Sequence, residues 1–155
     1  MSRGKLIIDT NLLLLLVIGA VEEGRHIRNS NRLNGFDILD YNVVLEVIKN
    51  HKEVFITHYI ATEVSNLIDL KGHASELAYN VARVLFSQFT QIESDVGQDC
   101  ELENFLFYGI TDSSLVRLAP EYTILTNDNR LLGPLFDACE KNIIPFEVAK
   151  TTYLA

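Results

Sequence analysis

The sequence predicts an α/β protein: a three-layer sandwich with a central parallel sheet wrapped by helices on both faces. Three observations lead there. Short apolar runs alternate with longer stretches of helical periodicity, the pattern of βαβ units. The runs are β-branched and apolar throughout rather than alternating, as strands covered on both sides are. Acidic residues also sit where those runs stop, and strand ends are where open α/β sheets place ligands. The chain has 155 residues, the size of one domain, taken as 1–155.

Lys5 to Asp9 reads as a short buried strand ending on an acid. Leu12 to about Val21 is apolar nearly all round and reads as a buried helix. Residues 22–37 are polar, with Gly24, Asn29, Asn31, Asn34 and Gly35, and predict an excursion or a broken helix. From Asp37 to Asn50, Ile38, Leu39, Val43, Val44, Val47 and Ile48 recur at helical intervals, with Asp37 as cap. Val54 to Thr57 is the second strand, and Ile60, Val64, Leu67 and Ile68 mark the next helix, ended by Gly72. Ala74 to Phe89 is helical, and Gln91 to Val96 is a third, edge strand. Leu102 to Phe107 reads as helix, and Thr111 as the N-cap of a helix over 112–119 closed by Pro120. Tyr122 to Thr126 is a strand. A helix over 129–141 turns Leu131, Leu132, Leu135, Phe136 and Cys139 inward, and Ile143 to Val148 is the last strand.

Apolar residues make up 48% of the chain, which excludes disorder, and three prolines leave no Pro-rich linker. Cys100 and Cys139 are too few for a disulfide scaffold and read as buried free thiols of a cytoplasmic protein. Arg3 and Lys5 before the run Leu12–Ile18, with Gly19 and Ala20 after it, resemble a secretory signal, but Asp9 and Asn11 interrupt its entry. The run is also far short of the ~20 residues that span a bilayer. The net charge of −8 runs against the basic balance usual in nucleic-acid binders. Two bound divalent cations would offset about half of it.

The acids that matter are Asp9, Glu63, Asp112 and Asp128. Two ionised carboxylates about 4 Å apart repel by ~4 kcal/mol at an effective dielectric near 20. A gathered set must share protons, move apart or bind cations. Oxygen-only donors favour Mg²⁺ or Mn²⁺ over zinc, and such ions can activate water and clamp phosphate oxygens. Each acid also has an ordinary explanation. Asp9 and Asp128 can cap helices, Asp112 suits a helix first turn, and Glu63 suits a solvated helix face.

At these residues the chain resembles the PIN-domain nucleases. Ile8-Asp9-Thr10-Asn11 is similar to the family's opening strand with its first acid, and Thr62-Glu63-Val64 to the acid after the second strand. Thr111-Asp112-Ser113-Ser114-Leu115 resembles the third acid, which opens a helix. Leu125-Thr126-Asn127-Asp128-Asn129-Arg130-Leu131 resembles the final strand–loop motif. Each motif is short; together, in order, they cover nearly the whole chain. The resemblance implies five parallel strands in the order 3-2-1-4-5 and Mg²⁺- or Mn²⁺-dependent endoribonuclease activity. It implies Asp9, Glu63, Asp112 and Asp128 as metal ligands, with Asn11 and Thr126 as polar supports. It also implies RNA as substrate and, as in small toxin-type members, a homodimer neutralised by an antitoxin. The segment 22–52 is long for the connection between the first two strands in the smallest members, and the third strand is hard to place.

Arg130, beside Asp128, is a candidate phosphate contact. Arg25, Arg28 and Arg32, at helical spacing with His26, are either further phosphate contacts or a solvated face. Tyr41, Tyr59 and Tyr108 suit base stacking or core packing. The alternative function is a PIN-like protein-interaction module. A receiver domain, which also clusters acids, ranks last because no central Asp follows a third strand.

Overall fold

The structure, a computed structural model, describes residues 4–154. Arg3 and the two ends of the 1–155 domain lie outside the described residues. Five strands form one all-parallel sheet: β1 (Lys5–Ile8), β2 (Glu53–Thr57), β3 (Thr90–Ile92), β4 (Thr123–Thr126) and β5 (Ile143–Pro145). Their order is β3-β2-β1-β4-β5, the order the resemblance implies. Helices flank the sheet in a three-layer arrangement. In register, Ile7 lies between Phe55 and Ile124, and Thr57 beside Ile92. Parallel pairing throughout puts every strand C-terminus on one edge of the sheet.

The core is built on α1 (Thr10–Gly19). Leu12 to Ile18 are all buried, because α1 is enclosed between the sheet and its helical neighbours α2 (Ile38–Lys49), α3 (His58–Leu67) and α4 (Gly72–Gln88). Fully burying one such side chain contributes roughly 1.5–3 kcal/mol. Summed over the helix, that outweighs the several kcal/mol it costs to hold one carboxylate out of water at its N-terminus. Gly19 is required where α1 meets α2: a Cβ there would stand 2.2 Å from Cδ1 of Tyr41. Asp37 caps α2 as expected, in a reciprocal box with Asp40, and Asp40 also pairs with Lys150 at 3.5 Å. That ion pair ties α2 to the C-terminal helix α9 (Phe146–Leu154).

Several expected boundaries move. Gly72 does not end the helix after β2; α3 stops at Leu67, and Gly72, with φ +60°, begins α4. The third strand is three residues at Thr90–Ile92, earlier than expected. The helix expected over 102–107 is α6 (Asn104–Tyr108), and a further short helix that was not expected, α5 (Val96–Glu101), precedes it. The last strand ends at Pro145, whose missing N–H suits an edge, and Phe146 opens α9 instead. On α8 (Asn129–Cys139) Phe136 is exposed, not inward. Residues 21–29 form two 3₁₀ turns with Glu22 and Glu23 in left-handed conformation, so Arg25, Arg28 and Arg32 share no helical face. Both cysteines are free, as expected, but half-buried rather than buried. No helix among the described residues is long and apolar enough to cross a membrane.

Candidate active site

The site begins where β1 ends. The β1–β4 ladder continues one residue further, with Asp9 N donating to Leu125 O at 2.9 Å. This holds Asp9 beside Thr126. Asp9 Oδ1 accepts from Thr10 N at 2.7 Å and so caps α1, while Oδ2 accepts from the Thr126 hydroxyl at 2.6 Å. The same hydroxyl accepts from Asp128 N at 3.0 Å. One buried threonine therefore ties the first acid to the loop carrying the fourth. Asp128 caps α8, its Oδ1 accepting from Arg130 N at 3.0 Å. For Asp9 and Asp128 capping and site membership coexist, since a cap occupies one carboxylate oxygen.

Glu63 lies on the second turn of α3. Its Oε1 accepts from the Thr10 hydroxyl at 2.8 Å and its Oε2 from the Thr111 hydroxyl at 2.6 Å. One carboxylate thus joins α1, α3 and the start of α7 (Ile110–Leu118). Thr111 is not the N-cap expected of it. Gly109, with φ +84°, makes the sharp entry to α7, which frees the Thr111 side chain to reach Glu63. Asp112 follows in the first turn of α7.

All four acids line one pocket of about 420 Å³ at the C-terminal edge of the sheet, together with Asn11, Asn127 and Arg130. Thr126 lies behind it, fully buried. Arg25, Arg28 and Arg32 do not line it. Arg25 pairs with Glu22 at 3.5 Å, and Arg32 uses its backbone N–H on Asp69 at 3.2 Å. Of the tyrosines, Tyr41 packs under α1, Tyr59 donates to Asp99 at 2.7 Å, and only Tyr108 approaches the pocket, its ring 5.4 Å from the Arg130 guanidinium.

The carboxylates feel one another. Burial pushes the Asp112 carboxyl up to about 7, and the charges of Asp9, Asp128 and Glu63 add to this while Arg130 opposes it. Burial also raises Asp9, against the hydrogen bonds from Thr126 and Thr10 and with a further push from Asp128 and Glu63. Among the described residues no group of three or more His, Cys, Asp or Glu side chains is placed to hold a metal ion directly. The donor set is all oxygen, open to solvent, and partly committed to threonines and backbone. That chemistry fits a hard, largely hydrated cation such as Mg²⁺, which binds through one or two carboxylates and keeps several waters.

Sequence reasoning missed the carboxylate that braces this site. Asp99 on α5 is fully buried, accepts from Tyr59 of α3, and pairs with Arg117 of α7. Its backbone carbonyl accepts from the Ser113 hydroxyl at 2.6 Å. The helices bearing Glu63 and Asp112 are thereby joined through α5. The only signal was an Asp in a polar, aperiodic stretch, and nothing there marked it as buried. Compared with known proteins, the chain matches no family model, no curated protein and no solved structure.

Proposed function

We propose that the chain is a divalent-metal-dependent endoribonuclease of PIN type. The observation that carries this reading is that Asp9, Glu63, Asp112 and Asp128, scattered over the sequence, line one pocket, where the other three raise the cost of charge on Asp112. Those four residues would hold Mg²⁺ or Mn²⁺, directly or through water. When bound, the metal supplies the Lewis acidity that activates water and offsets phosphate charge.

The chain's own residues do the rest. Thr126 and Thr10 N orient Asp9, and Thr10 and Thr111 orient Glu63, so two of the ligands are preset. Asn11 offers an uncharged polar edge to the pocket. Arg130 is the cation at the rim and binds a phosphate of the strand. Asp112, with its raised affinity for a proton, ionises most readily when positive charge enters the pocket.

Purified protein should cut RNA in Mg²⁺ or Mn²⁺, and Asp9→Asn should abolish cutting. Equal cutting by both proteins in EDTA would sink the reading.

The toxin role, with a cognate antitoxin, a homodimer and a cytoplasmic setting, belongs to the same proposal. What supports a protein partner in that role is an apolar groove of about 380 Å³ between Ala20–Val21 and the Val81, Val84 and Leu85 face of α4. The same groove favours the second reading, a PIN-like protein-interaction module. That reading gains if no nucleic acid is cut and no metal raises the melting temperature.

A further inference from the structure

The helix α6 exposes what a folded chain normally hides. None of its residues is buried, and Leu106 and Phe107 are 78% and 67% exposed, the highest values among the exposed large apolar side chains described. The turn is nonetheless well anchored. Gly109 N closes it on Phe105 O at 3.0 Å, and α6 packs against α7, which carries Asp112. Arg130 connects it to the pocket. Its Nη2 donates to the Phe107 carbonyl at 3.5 Å, and its guanidinium lies 5.4 Å from the Tyr108 ring. The rings of Phe107 and Tyr108 stand 6.4 Å apart, tilted by 58°.

We propose that Phe107 is a stacking platform for an unpaired base of the strand whose phosphate is held by Arg130 at the rim of the acidic pocket. The proposal rests on the ribonuclease reading and adds to it a subsite outside the carboxylates. Arg130 is the cation among the pocket-lining residues, so the backbone of an entering strand is drawn to it. The surface next to Arg130 is α6. A base carried past that phosphate meets an exposed aromatic face, which stacks with any unpaired base. A duplex cannot offer that face, because its bases are stacked on one another. A cation and aromatic rings side by side match a phosphate and its base better than they match the purely apolar face of a protein partner.

The test is steady-state cleavage of a single-stranded RNA oligonucleotide in Mn²⁺ by wild type, Phe107→Ala and Phe107→Trp. The same oligonucleotide carrying one abasic residue, moved stepwise around the cut site, is the second substrate set. Phe107→Ala should raise KM about tenfold, the equivalent of about 1.4 kcal/mol. It should leave kcat near wild type, and Phe107→Trp should restore KM. At one position the abasic substitution should raise KM for wild type but not further for Phe107→Ala. Phe107 is exposed, so loss of folding does not confuse the result. Wild-type KM in Phe107→Ala, or an abasic penalty that adds in full to it, would overturn the platform while leaving the nuclease reading intact. A change of sedimenting mass in Phe107→Ala with KM unchanged would overturn it in favour of contact between copies. Absence of cleavage by wild type would remove both readings.

Discussion

Asp112 and Thr126 show how single side chains set the behaviour of the pocket. The folded-state pKa of Asp112 lies above its ordinary value of 3.8, at about 7. Between those values the folded protein keeps a proton that the unfolded chain has released. Stability without metal therefore falls as pH rises through that window and levels off above it. Asp9 is shifted in the same direction and steepens the fall. Thermal melts in EDTA from pH 4 to 8 should show this slope, and Asp112→Asn should flatten it. Millimolar Mn²⁺ should reverse it near pH 7, because the cation binds the ionised form. Thr126→Val keeps the shape of a fully buried residue but leaves Asp9 Oδ2 and Asp128 N without their shared partner. It should cost about 1–3 kcal/mol in denaturant unfolding.

Among the elements, α1 and the strands β1 and β4 were legible because burial forces an unbroken apolar run, whereas the short edge strand β3, with Thr90 and Gln91, carries no such run. Asp37 was legible as a cap because its reach to Leu39 N and Asp40 N is local. What was not legible depends on distant partners. Gly72 looks like a helix end in sequence, yet only the packing of α3 decides that the earlier break at Leu67 is used. Thr111 looks like a cap, yet Gly109 takes the turn and Glu63, far along the chain, takes the hydroxyl. The bracing of α3, α5 and α7 by Asp99 was illegible for the same reason. Asp99→Ala would remove the partner of Arg117 and Tyr59, and should destabilise by about 3 kcal/mol, the lower end of the range for a broken buried pair because Arg117 is partly exposed. Metal-dependent cleavage should fall with it, as α5 no longer holds α7. Gly19→Ala forces Tyr41 from its place between α1 and α2 and should cost about 1–3 kcal/mol in the same assay.

At the scale of the whole molecule, the topology does what no single motif can. Parallel pairing in the order β3-β2-β1-β4-β5 brings the C-terminal ends of β1 and β4 side by side. Residues at positions 9 and 128 thus become neighbours, and α3 and α7 bring Glu63 and Asp112 to them. Four acids with ordinary separate explanations then share one pocket in a chain of net charge −8, where further unscreened negative charge is costly. The sequence order of the acids carried that inference; their mutual distances could only come from the fold. The central claim is that these four carboxylates act as one divalent-cation site. Anomalous X-ray scattering from crystals soaked in Mn²⁺ tests it most directly. The account predicts a manganese peak in the pocket between Asp9, Glu63, Asp112 and Asp128, lost in Asp9→Asn crystals. A wild-type map with no peak there, or with manganese bound only elsewhere, would contradict it.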